Sequence, residues 1–258
     1  MNSEIPDKFT IFTSWLKKCF RALHKHKKKL SMSGIMIWIV MIGVMLLSYL
    51  VQRSLSRRFE KYSEVPTESG LTGAEVARKM LRENGIYNVE VVSTPGLLTD
   101  HYNPATGKVN LSEGVYGKAS VAAAAVAAHE CGHAIQHAKG YLPLKLRSAL
   151  VPVVSFANNT VQWILLAGVL TVSIFPALLW VGIALFALTT LFSVITLPVE
   201  INASVRATQW LESAGVTDSG AKEMAADALK WAAYTYVIAA IGSIATLLYY
   251  LSIANSRR

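Results

Sequence analysis

The chain has 258 residues, of which 53% are hydrophobic and 16% charged, and its mean hydropathy is +0.38. This composition argues against a water-soluble domain and is typical of an integral membrane protein. The formal net charge of +9 comes partly from a basic N-terminal tail, so it indicates contact with a membrane surface and argues against a nucleic-acid partner. With only Cys19 and Cys131, the chain has no disulfide framework.

Residues 1–31 form the basic tail, for which two hypotheses stay open. Apolar residues such as Trp15 and Phe20 recur at helical spacing among lysines, which is typical of a helix lying in the lipid headgroup region. A disordered tail is the alternative. Residues 35–51 are apolar and uncharged, long enough for a first transmembrane helix, and too far from the N-terminus for a standard signal peptide.

A water-exposed catalytic segment is predicted for residues 52–147. Thr72 and Glu75 form the pattern of a capping box, which opens a helix that ends near Glu83. Short strands are predicted at 89–92, 97–102 and 108–111, with turn residues at 103–107. The strand at 108–111 either accepts an extended peptide along its edge or forms a purely structural hairpin.

A metal-binding motif stands in the alanine-rich, helix-forming stretch of residues 122–140. His129 and His133 are separated by four positions, so both imidazoles lie on one helix face and can bind the same zinc ion. Glu130 lies about 100° around the helix, beside a water molecule on the metal, where it can act as a general base. The alternative is a helix that merely carries two histidines.

His137 extends the same helix face but lies about 12 Å from His129 along a straight helix. We therefore interpret His137 as a second-shell or packed surface histidine and look for the third zinc ligand further along the chain. Asp100, His101 and Glu113 are weaker candidates, because they lie upstream in predicted strand or loop.

Glu200 is the strongest candidate for the third ligand. It follows residues 148–199, which carry no charge and could make about 78 Å of helix, enough for two membrane crossings with a turn near Pro176. Both ends of such a hairpin return to the same side, so Glu200 can meet His129 and His133. Ser204, one turn later, could orient a ligand.

The remaining chain gives a helical segment at 200–236, which carries the third ligand, and a last transmembrane helix at 237–253. The predicted fold is therefore mainly α and integral to the membrane. It has about four transmembrane helices and a small α+β, zincin-like catalytic segment with the H-E-x-x-H motif on a helix.

Several blocks resemble the membrane-bound neutral zinc metallopeptidases of the YugP type. They are T-D-H-Y-N-P followed by V-N-L-S-E-G-V-Y, then A-A-H-E-C-G-H-A-I-Q-H and L-P-V-E-I-N-A-S-x-R-A, and the resemblance covers about residues 59–249. It implies a zinc endopeptidase with His129, His133 and Glu200 on the metal. The chain is more distantly similar to the HtpX and CAAX-protease group, in which an acidic residue often stands at the position of Ser204.

The predicted function is a membrane-embedded, zinc-dependent endopeptidase of the gluzincin kind, with one Zn²⁺ per chain and Glu130 as general base. The alternative is a catalytically silent membrane scaffold whose metal site is structural or absent. Four residues are candidates for stabilising the oxyanion of the reaction, and the sequence leaves the choice among them open: His101, Tyr102, Arg206 and Tyr236.

The predicted partners are the lipid bilayer and a polypeptide substrate, such as a membrane or misfolded protein, and no nucleic acid is expected. The predicted location is a multi-pass position in the bacterial cell (inner) membrane. Without the N-terminal tail the catalytic side is the more basic one, which favours a cytoplasmic active site under the positive-inside rule. The distantly similar HtpX group also acts at that face.

Overall fold

The structure is a computed structural model and describes residues 34–256; the tail predicted at 1–31 and Cys19 lie outside the described residues. Most of this part of the chain is helical, with one small sheet. In chain order the elements are α1 (Gly34–Ser63), α2 (Gly73–Glu83), β1 (Glu90–Thr94), β2 (His101–Asn103), β3 (Lys108–Ser112), α3 (Glu113–Tyr116), α4 (Val121–Ala138), α5 (Leu142–Leu170), α6 (Pro176–Ser213) and α7 (Ser219–Ser256).

Within residues 34–256, four helices are long and apolar enough to cross a membrane, at Trp38–Ser63, Leu142–Leu170, Pro176–Ser213 and Ser219–Asn255. They lie in α1, α5, α6 and α7. The small sheet and the shorter helices stand between the first and second of them. The predicted fold class, a mainly α integral membrane protein with a small α+β segment, is confirmed.

Helices α5 and α6 form a tight hairpin. The chain turns between Leu170 and Pro176, and Pro176 begins α6 as the sequence predicts. Gly168 permits the close approach, because a Cβ atom there would lie 2.7 Å from the backbone Cα of Leu179. At 1.5 Å per residue, Glu200 lies about 36 Å along α6 from Pro176, just beyond a hydrocarbon core of about 30 Å.

Helices α1 and α7 run antiparallel and are joined by a charged cluster. Arg58, near the end of α1, donates to the Asp227 carboxylate at 2.6 Å, and the Tyr62 hydroxyl donates to the same oxygen at 2.9 Å. The Arg58 guanidinium also lies 4.2 Å from the ring centre of Trp231. At its other end α7 packs Ala254 into the apolar cluster of the α5–α6 hairpin. The tip of that hairpin and the end of α7 therefore lie on the same side.

The sheet has the order β1-β3-β2, with β1 parallel and β2 antiparallel to β3. The predicted hairpin between β2 and β3 is confirmed. Of the two alternatives for residues 108–111, the structure shows the structural hairpin and excludes the peptide-binding edge, because β3 is paired on both sides. The strand predicted at 97–102 is shorter than expected. Positive φ angles at Gly96 and Leu98 interrupt extended backbone there, so β2 begins only at His101.

Helix α4 runs through the centre of the catalytic segment. Its alanines from Ala122 to Ala125 are at most 2% exposed, since small side chains let other helices approach it closely. Ser120 caps its start by accepting from the Ala123 amide, and Gly140, with φ of 63°, follows its end. The predicted capping box of α2 is also confirmed, as is the end of that helix at Glu83.

Candidate metal centre

Three side chains from two helices converge at the centre. His129 and His133 lie one turn apart on α4, and Glu200 comes from α6. The Nε2 atoms of His129 and His133 lie 3.3 Å and 3.6 Å from Oε2 of Glu200. All three residues offer ligand atoms within 4.8 Å of one another, so the structure brings together the three residues that sequence reasoning chose as zinc ligands.

The geometry of this cluster fits zinc. A tetrahedral zinc ion with bonds of 2.0–2.1 Å holds its ligand atoms about 3.3 Å apart, which agrees with 3.3 Å and 3.6 Å between the imidazoles and the carboxylate. Two histidines and one carboxylate are an established donor set of zinc sites that leave a fourth position open. Glu200 is only 3% exposed, and a carboxylate buried so deeply requires a cationic neighbour.

Gly132, between the two histidines, lets α4 and α6 meet. A Cβ atom at this position would lie 2.8 Å from the carbonyl oxygen of Ala203 and 3.0 Å from its Cα. Because backbone atoms cannot rotate away as a side chain does, any larger residue would separate the helices. The glycine therefore fixes the spacing at which the histidines reach Glu200.

Neighbouring side chains orient both imidazoles. Nδ1 of His133 lies 3.1 Å from Oε1 of Gln136, whose amide nitrogen donates to the Val199 carbonyl at 2.8 Å and to Asn202 Oδ1 at 3.0 Å. The Gln136 oxygen is thus left to accept, so His133 carries its proton on Nδ1 and directs Nε2 towards Glu200. Hydrogen bonds of this kind fix the tautomer of a metal-binding histidine.

His129 is held in a similar way by Ser204, whose Oγ lies 3.1 Å from His129 Nδ1.

The electrostatic surroundings favour positive charge at the cluster of His129, His133 and Glu200. Burial lowers the pKa of His133, but the hydrogen bond to Glu200 and the carboxylates of Glu130 and Glu200 raise it, so that it lies above its ordinary value. The same carboxylates would stabilise a bound cation.

Glu130 lies beside the cluster and outside it. Its side chain is 9% exposed, and its Oε2 accepts a hydrogen bond of 3.0 Å from the backbone amide of Tyr102. The edge of β2 that is not paired with β3 therefore faces this carboxylate. Cys131, the next residue, points into the protein, where burial raises the pKa of its thiol, so it carries no thiolate for a metal.

The other predicted site residues are not part of this three-residue cluster, and most of them contact other groups. His137 is exposed and contacts the Tyr102 hydroxyl through Nδ1 at 2.8 Å. His101 is exposed and contacts the Thr99 carbonyl at 2.8 Å, while Arg206 donates to Asn202 at 2.8 Å. Of the two other rivals for the metal, Asp100 accepts from the Ser112 amide and hydroxyl, and Glu113 is exposed in α3.

Sequence reasoning missed Gln136, Asn202 and Arg147. Gln136 could have been found, because it stands three positions after His133 and so shares its helix face. Arg147 gives no such signal, yet its Nη1 lies 3.7 Å from Oε1 of Glu200. Its Nε atom is buried without a hydrogen-bond partner among the residues that the structure describes, so the guanidinium faces the centre through Nη1.

Two cavities meet at the centre, and both are lined by His129, Glu130, Glu200 and Tyr236. The first, of about 380 Å³, we call the polar cavity; it is bounded also by His101, Tyr102, Arg147 and Ser148. The second, of about 440 Å³, we call the apolar groove; it extends between α1, α4 and α7 and is lined by Leu55, Phe59, Leu97, Leu98, Ala122, Ala125, Val126, Ala228, Ala232 and Ala233, among others.

Residues 37–255 match the model of a family described as "Putative neutral zinc metallopeptidase", and the chain belongs to this family. Over 212 residues it is 44% identical to the "Putative membrane protease YugP" of Bacillus subtilis (strain 168), an overlap that covers 82% of this chain and 93% of that protein. No solved structure matches the chain. The resemblance inferred from the sequence blocks is thus confirmed.

Proposed function

We propose that the protein is a membrane-embedded endopeptidase that hydrolyses peptide bonds with one Zn²⁺ per chain. The observation that carries the proposal is the cluster of His129, His133 and Glu200 with the Glu130 carboxylate directly beside it. Membership in a family described as zinc metallopeptidases supports the same reaction. A metal site that served only structure would have no need of an unligated carboxylate facing an open cavity.

His129, His133 and Glu200 would hold the zinc ion, as the gluzincin kind of site requires. When bound, zinc would polarise the scissile carbonyl and lower the pKa of water. Gln136 and Ser204 keep the two imidazoles in the orientation that binding requires, through their hydrogen bonds of 3.1 Å to the Nδ1 atoms. The protein residues thus pre-arrange the ligands before a substrate arrives.

Glu130 acts as the general base. Its carboxylate takes the proton from the attacking water and delivers it to the leaving nitrogen, which is the role that its position beside the ligands favours. The Tyr102 amide, 3.0 Å from Oε2, holds the carboxylate at the mouth of the polar cavity. Because the donor is a backbone amide of β2, the position of the Glu130 carboxylate is fixed relative to this strand.

Tyr236 and Arg147 stabilise the negative charge that develops on the carbonyl oxygen. Both line the polar cavity together with Glu200, and the Arg147 guanidinium brings positive charge there, with Nη1 3.7 Å from Oε1 of Glu200. The other candidates fit this role less well. Arg206 is engaged by Asn202 and the Tyr102 hydroxyl by His137, while His101 faces Thr99 and Asn110.

The substrate is a polypeptide, such as a membrane or misfolded protein, and the enzyme works in the cell membrane of a bacterium. The catalytic segment carries many basic residues beside the spans, including Arg53, Arg57 and Lys139. This charge favours a cytoplasmic active site.

Purified full-length protein in detergent provides the test. We expect one zinc ion per chain by elemental analysis and cleavage of an unfolded protein substrate, with loss of cleavage on chelation and recovery when zinc is added back. A stoichiometric zinc content with no cleavage of any polypeptide would instead identify a membrane scaffold with a structural metal. A folded protein without zinc would exclude the enzyme altogether.

A further inference from the structure

The apolar groove is formed where two helices present small side chains to each other. Ala125 and Val126 of α4 face Ala232 and Ala233 of α7 across it. Larger residues at these positions would fill the space. Leu55, Phe59 and polar side chains of α1 form the third side, so the protein keeps an open and largely apolar groove beside its metal centre.

Large apolar side chains also stand at the groove outside the membrane spans. Leu97 and Leu98, in the loop between β1 and β2, are 86% and 64% exposed, and both line the groove. Leu98 holds a left-handed backbone conformation with φ of 57°, which a leucine adopts only when the surrounding loop imposes it. Such exposed apolar surface in a polar segment is typical of a binding site.

The two cavities differ in chemistry on the two sides of the metal centre. The polar cavity is bounded by Arg147, Ser148 and His101 as well as by Leu144 and Val151. The groove has the more apolar lining, in which alanine, leucine, valine and phenylalanine side chains stand beside a smaller number of polar ones such as Glu60 and Lys118. A peptide whose scissile bond lies at Glu130 would therefore meet more apolar surroundings in the direction of the groove than in the direction of the polar cavity.

The groove also lies at the edge of the bilayer. Its α1 wall begins at Gln52, the first polar residue after the uncharged stretch of residues 35–51. An apolar segment that emerges from the membrane, or that lies on its surface, would therefore be close to the groove.

We propose that the apolar groove binds a stretch of apolar residues on one side of the scissile bond, so that the enzyme selects polypeptides with an exposed apolar segment next to the cleavage point. This inference rests on the proposed peptidase function. Continuity of the groove with His129, Glu130 and Glu200 favours a polypeptide over a lipid chain, because only a polypeptide places a cleavable bond at the groove's inner end.

Three quenched fluorescent peptides of equal length test the inference with full-length protein in detergent. One carries a block of leucine and phenylalanine before the cleavage point, one carries it after that point, and one carries serine and glutamine throughout. We expect one of the two apolar peptides to be cleaved with a kcat/KM at least about tenfold above the polar peptide, as a filled apolar pocket allows. Equal rates for both apolar peptides, or for all three, would overturn the inference.

Substitutions in the groove should remove this preference. Ala232→Phe and Val126→Phe each fill the groove from a different helix, so we expect either change to reduce the ratio of apolar to polar cleavage by about tenfold. Ala239→Phe is the matched control, since Ala239 lies on the same helix as Ala232, is exposed and lines neither cavity. If Ala239→Phe lowers the ratio as much as the groove variants do, the groove is not the cause.

A binding measurement separates failure of this inference from failure of the proposed function. Fluorescence anisotropy of the apolar and polar peptides is measured with Glu130→Gln protein, alone and combined with Ala232→Phe or Ala239→Phe. Tighter binding of one apolar peptide that only Ala232→Phe abolishes supports the groove even if no variant hydrolyses anything. Hydrolysis without any apolar preference leaves the peptidase and refutes the groove. A fluorescent fatty acid whose binding responds to Ala232→Phe while peptide binding does not would assign the groove to lipid.

Discussion

Glu200 is the residue on which the candidate metal centre depends most. It is 3% exposed, yet its carboxylate is surrounded by two imidazoles and by Arg147 at 3.7 Å. Removing a carboxylate from water costs several kcal/mol unless a cation compensates. A zinc ion held between Glu200 and the two histidines would provide that compensation in addition to the imidazoles and the arginine.

Glu200→Ala should therefore lower zinc affinity by more than about 100-fold, because a ligand contributes more than the neighbours that orient it. His137→Ala should keep nearly all of the zinc, since the His137 ring contacts the Tyr102 hydroxyl at 2.8 Å and is exposed. Zinc titration against a competing chelator compares the two variants. The reverse order of affinities would make His137 the third ligand.

Gln136→Ala should weaken zinc binding by about 10- to 100-fold, the range typical for residues that orient a metal ligand. The change removes the acceptor for His133 Nδ1 and the two hydrogen bonds that join α4 to α6. Gln209→Ala, at a glutamine on α6 that lines neither cavity, serves as control. Unchanged zinc affinity in Gln136→Ala would show that the His133 tautomer does not depend on this amide.

At the level of elements, the sequence predicts helices better than it predicts how they meet. The motif on α4, the cap of α2 and the turn before Pro176 follow from local residue patterns. The contact of Gly132 with Ala203 and the position of Arg147 beside Glu200 join residues distant in sequence, and no local pattern records such contacts.

The sheet illustrates the same difference. Turn residues at 103–107 predict the hairpin of β2 and β3, because turn chemistry is local. The parallel pairing of β1 with β3 depends on how α2 and the loop after β1 pack, so it was not predicted. Consequently the sequence leaves open whether β3 has a free edge, whereas in the structure the edge next to the site belongs to β2.

Gly132→Ala should separate α4 from α6 and reduce zinc affinity by about tenfold or more. The added methyl group would lie 2.8 Å from the Ala203 carbonyl oxygen, and overpacking of this kind costs roughly 1–3 kcal/mol. Gly43→Ala is the control, since nothing lies within 4 Å of a Cβ atom there. Thermal unfolding and zinc titration are measured for both variants. Equal behaviour of the two would show that the close helix contact is unimportant for the centre.

For the whole molecule, the antiparallel packing of the spans determines which segments share a side. The end of α7 packs against the tip of the α5–α6 hairpin, whereas the start of α7 pairs with the end of α1 through Asp227 and Arg58. The metal centre and the small sheet therefore lie at one end of the bundle. The apolar surface of four helices occupies the rest of it.

Cysteine labelling tests this topology. In a Cys19→Ser background, Cys131 is buried, so single cysteines at Ser69 and Asn255 report on opposite ends of the bundle. With the catalytic segment in the cytoplasm, a membrane-impermeant maleimide applied to intact cells should label Asn255→Cys and leave Ser69→Cys unlabelled until the cells are opened. Labelling only at Ser69 would reverse the orientation, and equal labelling at both positions would contradict four spans.

The most direct test of the central claim is zinc content and peptide cleavage measured on the same preparation of Glu130→Gln protein. Glu130 lies beside the cluster of His129, His133 and Glu200 but is not part of it, so we expect one zinc ion per chain and a loss of cleavage of at least about 100-fold, as removal of a general base produces. Cleavage near the level of the unmodified protein, or loss of zinc together with activity, would contradict the assignment of Glu130 as general base of a zinc peptidase.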